Sequence, residues 1–266
     1  MGELLTPSQH LYVTTDDACL GIAERLATLV ADAVREQGRV SIALSGGSTP
    51  GFLFPRLVRD FAERIPWSKA VFGFVDERAV GPDDPESNFG QANRALFGPL
   101  GIPRTNVHRI EGEVRPVESA RDRYEGELHR MFAAMPESTE AIPSRSFDIA
   151  LLGIGPDGHT GSLFPGAPSL SESSRWVVAE PRPLLEPRVP RITLTLPALA
   201  AAGHSLFLVL GRAKRSALGQ VLHDPNLGTA EGSLPAARVR SRDGVEWFFD
   251  QDAAPPGIPG SLAEKA

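Results

Sequence analysis

Residues 151–166, LLGIGPDGHTGSLFPG, put Asp157 and His159 side by side in a run of glycines. A histidine, with an unperturbed pKa of about 6.5, suits proton transfer near neutral pH, and a neighbouring carboxylate can orient it or stabilise its cation. Gly153, Gly155 and Gly158 also spell G-x-G-x-x-G, the pattern of a dinucleotide-binding loop. That reading needs a strand, the glycines and then a helix. The strand is there, but Gly161, Pro165 and Pro168 make a poor helix. The acid expected about 20 residues on, to hold a ribose hydroxyl, is also missing: Glu172 comes too early and Glu180 too late. The glycines are therefore read as a scaffold that lets Asp157 and His159 face one rim. The bland alternative is a structural histidine in a glycine-rich loop.

Other stretches carry groups suited to an anion. In SGGSTP, Gly46 and Gly47 let the backbone approach a ligand closely, and the following helix offers free N–H groups. Ser45, Ser48 and Thr49 add hydroxyls, and Thr49 can also cap the helix. It is not a Walker loop, because G-K-[ST] is absent; a plain βα turn is the alternative. In VDER, Arg78 can take a phosphate or carboxylate in forked geometry, and Asp76 can hold that arginine or act as a base. A solvated strand end with an Asp–Arg pair is equally open. Arg191 and Lys214, each beside a strand pattern, can complete an anion site or be surface charges. His108, His129, His204 and His223 lack such surroundings, and Asp157 with His159 alone does not make a metal site.

Strands and helices must bring these stretches together. Residues 17–37 are helical by period, through Ala18, Ile22, Leu26, Val30 and Val34, with Asp16 or Asp17 as cap and Gly38 as stop. Residues 39–44 form a strand that ends at SGGSTP, and a helix follows through Phe54, Leu57, Val58 and Phe61. Residues 70–78 read as one strand, NVHRI as a short strand and residues 116–135 as a charged surface helix. The strongest strand is 147–155; RWVVAE, PRITLTL, HSLFLVLG and GVEWFFD add others, with a helix over 211–222. Several runs are apolar on consecutive residues, as in strands covered on both faces. The pattern predicts one α/β domain over residues 1–254, with a Rossmann-like, mainly parallel sheet and helices on both faces. The Pro/Gly-rich tail, 255–266, is expected to be disordered. Ligands of such sheets bind beyond the carboxyl ends of the strands.

Bulk properties limit the partners. The 266 residues carry a net charge of -6, with 41% apolar and 23% charged side chains, ordinary for a soluble globular protein. No basic run provides a footprint for nucleic acid, and no apolar run reaches the roughly 18 residues that span a bilayer. Cys19, the one cysteine, lies on an apolar stripe, which excludes an internal disulfide and suits a cytoplasmic protein. The N-terminus is not a signal peptide, although Gly2 and Thr6 match the short, common myristoylation pattern.

SGGSTP, VDER with Ser87-Asn88, GIGPDGHTGSLFPG, RITLTLPAL and GRAK occur in this order. In that order they resemble the 6-phosphogluconolactonases of the glucosamine-6-phosphate deaminase/6-phosphogluconolactonase family. The match runs from about Val40 to Lys214. The deaminases are similar at SGGSTP and DGH but continue DGHIAFNEP, with a ring-opening glutamate where this chain has Phe164. They also tend to carry tyrosine where this chain has Arg78. Gly161, where alanine is common, is the one departure in the lactonase loop.

The resemblance implies hydrolysis of 6-phospho-D-glucono-1,5-lactone to 6-phosphogluconate, the second step of the oxidative pentose phosphate pathway. No cofactor or metal is implied, and a monomer is favoured. His159 would act as general base, with Asp157 orienting it. The phosphate would sit on Ser45, Gly46, Gly47, Ser48 and Thr49, helped by Arg78 and by Arg191 or Lys214. Asp76, Asn88 and the loop glycines Gly155 and Gly158 complete the expected site, with backbone N–H groups of that loop, or a nearby cation, stabilising the oxyanion. A sugar-phosphate deaminase or isomerase, or a non-catalytic sugar-phosphate sensor, are the alternatives. A sensor would usually carry a DNA-binding helix pair, and none is visible before Asp17.

Overall fold

A computed structural model of the chain describes residues 7–132, 145–180 and 188–259. The first part runs β1 (Ser8–Tyr12), α1 (Thr15–Gln37), β2 (Val40–Leu44), α2 (Pro50–Phe61), β3 (Ala70–Phe74), β4 (Asp76–Arg78), α3 (Asn88–Ala92) and α4 (Val117–Phe132). It continues with β5 (Ile149–Leu152), β6 (Val177–Glu180), β7 (Arg191–Leu194), α5 (Leu196–Ala200), β8 (His204–Val209), α6 (Arg215–Leu222) and β9 (Gly244–Asp250). Six strands form a parallel sheet in the order β1-β9-β8-β5-β2-β3. This is the Rossmann-like α/β sheet the sequence predicts. Every residue of β2 and β5 is buried, so both faces of the sheet are covered.

The strand order sets the site. From β2 the chain crosses to β3 on one side, whereas β5 pairs with β2 on the other and leads to β8 beyond. The order reverses between β2 and β5, where a crevice opens beyond the strand ends. SGGSTP leaves β2 there and GIGPDGH leaves β5, and Ser45 N still donates to Leu151 O at 3.2 Å.

Helix α1 buries Ala18, Ile22, Leu26 and Val30 on its inner face and packs on α2 and β9. Its cap is Thr14 rather than Asp16 or Asp17: Thr14 Oγ1 accepts from Asp17 N at 3.1 Å. The aspartates occupy the first turn, where the helix dipole favours them. Gly38 closes the helix at φ 74°, in the left-handed region. Cys19 is a core residue as predicted, and burial pushes its thiol up to about 11.

Two strand expectations change, and one strand, β1, is new. The run 70–78 is two strands, not one. Val75 donates to Leu44 O at 2.9 Å and accepts from Leu194 N at 2.7 Å, handing the chain from the parallel sheet to a second, antiparallel sheet, β4-β7-β6. At this handover the buried Tyr124 hydroxyl accepts from Phe74 N at 2.7 Å and donates to Phe74 O at 2.8 Å, satisfying the end of β3 from α4. NVHRI stays a loop with one bridge, Val107 to Phe72. β1 is a half-exposed edge strand whose sequence, SQHLY, has no apolar run to announce it. The end of the predicted helix at Met135, the myristoylation pattern at Gly2 and Thr6, and residues 260–266 of the tail lie outside the described residues; Pro255 is buried.

Asp250, 2% exposed, ties the end of β9 to the site. Its carboxylate accepts from Thr15 Oγ1 at 2.7 Å, Gly211 N at 3.0 Å and Ala253 N at 2.9 Å. Gly211 opens the turn that carries Lys214. Asp250→Ala removes the shared acceptor of these buried and half-buried donors and is expected to lower unfolding free energy by about 1–3 kcal/mol. Urea denaturation should show a lower midpoint at unchanged slope.

Candidate active site

The turn after β5 presents His159. Gly155 N donates to His159 O at 2.8 Å and Gly158 N to Gly155 O at 3.0 Å, which folds the chain back on itself. Asp157 Oδ1 accepts from the His159 backbone N at 3.2 Å and lies 2.6 Å from ring Nδ1. Burial raises the Asp157 pKa, but hydrogen bonding to His159 outweighs it and holds the carboxyl below its ordinary value. An ionised carboxylate only accepts, so Nδ1 must carry a proton, and in the neutral ring the lone pair is then on Nε2. The turn needs its glycines for space. A Cβ on Gly155 would collide with the imidazole and the Asp157 carboxylate, and Gly158 sits at φ 84°. Gly161, the departure noted in the sequence, sits at φ 54°, where glycine is the natural occupant. The N–H groups of Gly155 and Gly158 are already used inside the turn, so these two of the loop's backbone donors are engaged.

The facing wall is the turn after β2. Gly47 adopts φ 94°. Thr49 precedes α2 without the predicted capping bond, and Pro50 opens the helix. Ser45 Oγ is buried with no hydrogen-bond partner among the described residues. Gly46 is required because the Asn88 amide lies where its Cβ would be. Asn88, 2% exposed, stands behind this wall and donates Nδ2 to Asp76 O at 2.8 Å.

The small sheet supplies the charge. In its register Arg78 is paired directly with Arg191, so both side chains leave the same face. Arg78 Nη1 donates to Glu86 O at 2.6 Å, while its buried Nε has no partner among the described residues. Arg191 Nε donates to Val189 O at 3.2 Å. Burial, together with the charge of Arg78, holds the Arg191 guanidinium below its ordinary pKa. Lys214 is also held below its usual value by burial, with Asp157 opposing the shift. Asp76 is 5% exposed and accepts from Ser162 Oγ at 2.7 Å, so it braces the far side of the histidine loop.

Ser45, Gly46, Gly47, Ser48, Thr49, Asp76, Arg78, Gly155, His159, Arg191 and Lys214 line one cleft of about 100 Å³. Asp157 backs His159, whereas Asn88 and Gly158 support the walls from behind. The enclosed volume suits a phosphate-sized group, since pockets that enclose whole ligands measure roughly 300–1,000 Å³. A larger cavity of about 860 Å³ beyond Phe164 holds none of these residues. Among the described residues no group of three or more His, Cys, Asp or Glu side chains gathers to hold a metal ion.

Sequence reasoning missed two supports. Glu77, 2% exposed, accepts from Arg78 N, Asn88 N and Phe89 N at 2.8, 2.7 and 2.9 Å, joining β4 to the start of α3. Burial raises its pKa against these hydrogen bonds. Strand alternation in VDER, with Asp76 and Arg78 on one face, is the signal that sends Glu77 to the other. Ser162 gives no comparable signal, because its partner Asp76 is remote in sequence.

Fold and cleft together define an α/β protein whose histidine-bearing cleft, lined by Arg78, Arg191 and Lys214, lies at the carboxyl edge of its sheet. Residues 14–247 match the family described as glucosamine-6-phosphate isomerases/6-phosphogluconolactonase, and the chain belongs to that family. It is 38% identical to the 6-phosphogluconolactonase of Haemophilus influenzae, over 80% of this chain and 86% of that protein. It is 34% identical to the 6-phosphogluconolactonase of Mycobacterium tuberculosis, over 94% of this chain and 98% of that protein. The crystal structure of 6-phosphogluconolactonase from Thermotoga maritima superposes with a TM-score of 0.74 at 30% identity, covering 91% of this chain and all of that one.

Gly155→Ala tests the packing under the histidine. The circular dichroism spectrum should stay native, while the His159 ring nitrogens, followed by ¹⁵N NMR, should lose the single Nδ1–H tautomer. A retained tautomer would mean that the turn accommodates a methyl group.

Proposed function

We propose that the cleft hydrolyses 6-phospho-D-glucono-1,5-lactone to 6-phosphogluconate. The observation that carries this reading is the direct pairing of Arg78 with Arg191 on the cleft that His159 also lines. Like charges opposite each other in a sheet are destabilising. A phosphate between the two guanidinium groups would reverse the sign of that interaction, and the unpaired Nε of Arg78 would gain an acceptor. The N-terminus of α2 and the Gly46–Gly47 turn add backbone donors. With the phosphate enclosed, the sugar ring lies at the mouth of the cleft, toward His159.

There Nε2 of His159 takes a proton from water as the water oxygen bonds to the lactone carbonyl carbon. Asp157 keeps Nδ1 protonated and stabilises the imidazolium that forms. Lys214 is the cation beside this pair, and we assign it the developing oxyanion. The tetrahedral intermediate collapses by breaking the bond to the ring oxygen, which takes the proton back from Nε2. General-base action supplies roughly 10²–10⁴-fold, and phosphate anchoring supplies positioning. Every step uses only water and this chain's own side chains, with no change of oxidation state, so we assign the cycle no cofactor and place it in the cytoplasm. The buried Phe164 ring, 5.0 Å from the imidazole, supports this reading over deamination, because no carboxylate stands there to open a sugar ring.

Fresh lactone should release acid faster in the presence of the protein than spontaneously. A rate equal to the spontaneous one defeats the reading. His159→Ala should lower kcat about 10²–10⁴-fold while still binding 6-phosphogluconate. Arg78→Ala should instead weaken that binding about tenfold or more, the loss expected when one partner of a charged, hydrogen-bonded pair is removed.

Lys214 adds a pH dependence. Its pKa in the free protein lies below the ordinary 10.5, and a bound anion favours the protonated form. Affinity for 6-phosphogluconate should therefore be full at neutral pH and fall as pH rises through the free-protein value. Calorimetric titrations from neutral to about pH 10 should show this loss, and Lys214→Met should flatten it.

A further inference from the structure

The His159 turn has little stiffness of its own, because Gly155 and Gly158 are its corners. Asp76 braces its far side through Ser162, and under the Gly158 corner the external support comes from a remote segment, residues 224–238. Ala236 N donates to Gly158 O at 3.1 Å. A Cβ on Gly158 would run into Leu234, so the turn rests directly on that side chain. On the other side of His159, Arg238 Nη2 donates to Leu170 O at 3.1 Å, a few residues beyond Phe164, whose ring packs against the imidazole. The segment therefore grips the chain both before and after the histidine.

Its own shape is fixed independently of the cleft. Asp224 Oδ2 accepts from Ser233 N at 2.6 Å and Ser233 Oγ at 2.7 Å, and its Oδ1 accepts from Asn226 N at 2.8 Å. Gly228 N donates to Ala237 O at 2.7 Å. Hydrogen bonding to Ser233 holds the Asp224 carboxyl below its ordinary pKa, so the latch is an ionised acceptor at neutral pH.

We propose that residues 224–238 are a clamp that aims the His159 ring, with Leu234 as its positioning residue. The proposal rests on His159 being the base of the reading above. Leu234 does not line the cleft, so its action is confined to where the turn stands. Without its side chain the Gly158 corner can sink, and Nε2 moves relative to a lactone whose phosphate is held by the opposite wall.

The experiment compares Leu234→Ala with the volume-conserving Leu234→Met. For Leu234→Ala, kcat on the lactone should fall by between about 10- and 100-fold, with KM and the 6-phosphogluconate dissociation constant within about twofold of wild type. Leu234→Met should restore most of kcat. In the ligand-free protein, ¹⁵N NMR of the His159 ring should change from a single Nδ1–H tautomer to a mixture in Leu234→Ala. Unchanged kcat together with an unchanged tautomer overturns the clamp. So does a loss of kcat that follows a fall in thermal midpoint and is not restored by methionine. If the wild-type protein does not accelerate lactone hydrolysis, the lactonase reading fails instead, and the ring tautomer alone decides the clamp.

Discussion

The parallel ladder between β2 and β5 is the constraint on which the site depends. Ile42, Ala43 and Leu44 face Ile149, Ala150 and Leu151, and all six are buried. A one-residue slip would exchange the faces of every side chain in the ladder, misfitting close-packed neighbours on both sides and breaking the Ser41–Asp148 hydrogen bonds at its start. The register therefore fixes where both loops leave the sheet. The Gly46–Gly47 turn and the His159 turn emerge as neighbours although more than a hundred residues separate them. The strand order reverses at this point, so neither crossover helix covers the gap.

A second sheet brings the charge to that gap. Val75 belongs to both sheets through its two backbone groups. It turns VDER away from the parallel sheet, so that Asp76 and Arg78 face the cleft while Glu77 anchors the start of α3. The cross-strand neighbour of Arg78 is then Arg191, from a remote strand. Two guanidinium groups held on one face repel each other, and this is the repulsion that the proposed phosphate would relieve. Burial first, and then the charge of Arg78, hold the Arg191 pKa below its ordinary value.

Much of this was legible in the sequence. The period of α1, the strand-turn-helix at SGGSTP and the apolar run of β5 are local patterns, and local patterns survive into the fold. The residues around the cleft were legible for a related reason: glycines beside hydroxyls, or beside a histidine and an acid, have few bland uses. The antiparallel sheet was not legible, because VVAE and RITL carry the same apolar signal whether their partners run parallel or antiparallel. β1 was hidden because an edge strand needs little apolar surface. The cap of α1 went to Thr14 rather than to an aspartate by a shift of two or three residues, within the usual uncertainty of helix ends.

The sequence by itself determined the chemistry on offer: an ionisable Asp–His pair, a glycine- and hydroxyl-rich turn and a small set of cations, carried on an α/β alternation that sends loops to one edge. Tertiary structure decided what those groups do to one another. It set the tautomer of His159 through Asp157, paired Arg78 with Arg191, used the N–H groups of Gly155 and Gly158 inside the turn, and brought residues 224–238 beneath Gly158. Each of these depends on contacts between residues remote in sequence, or on a dihedral that the neighbouring residue types only permit. Composition and spacing constrain which partners exist; packing of the buried strands chooses among them.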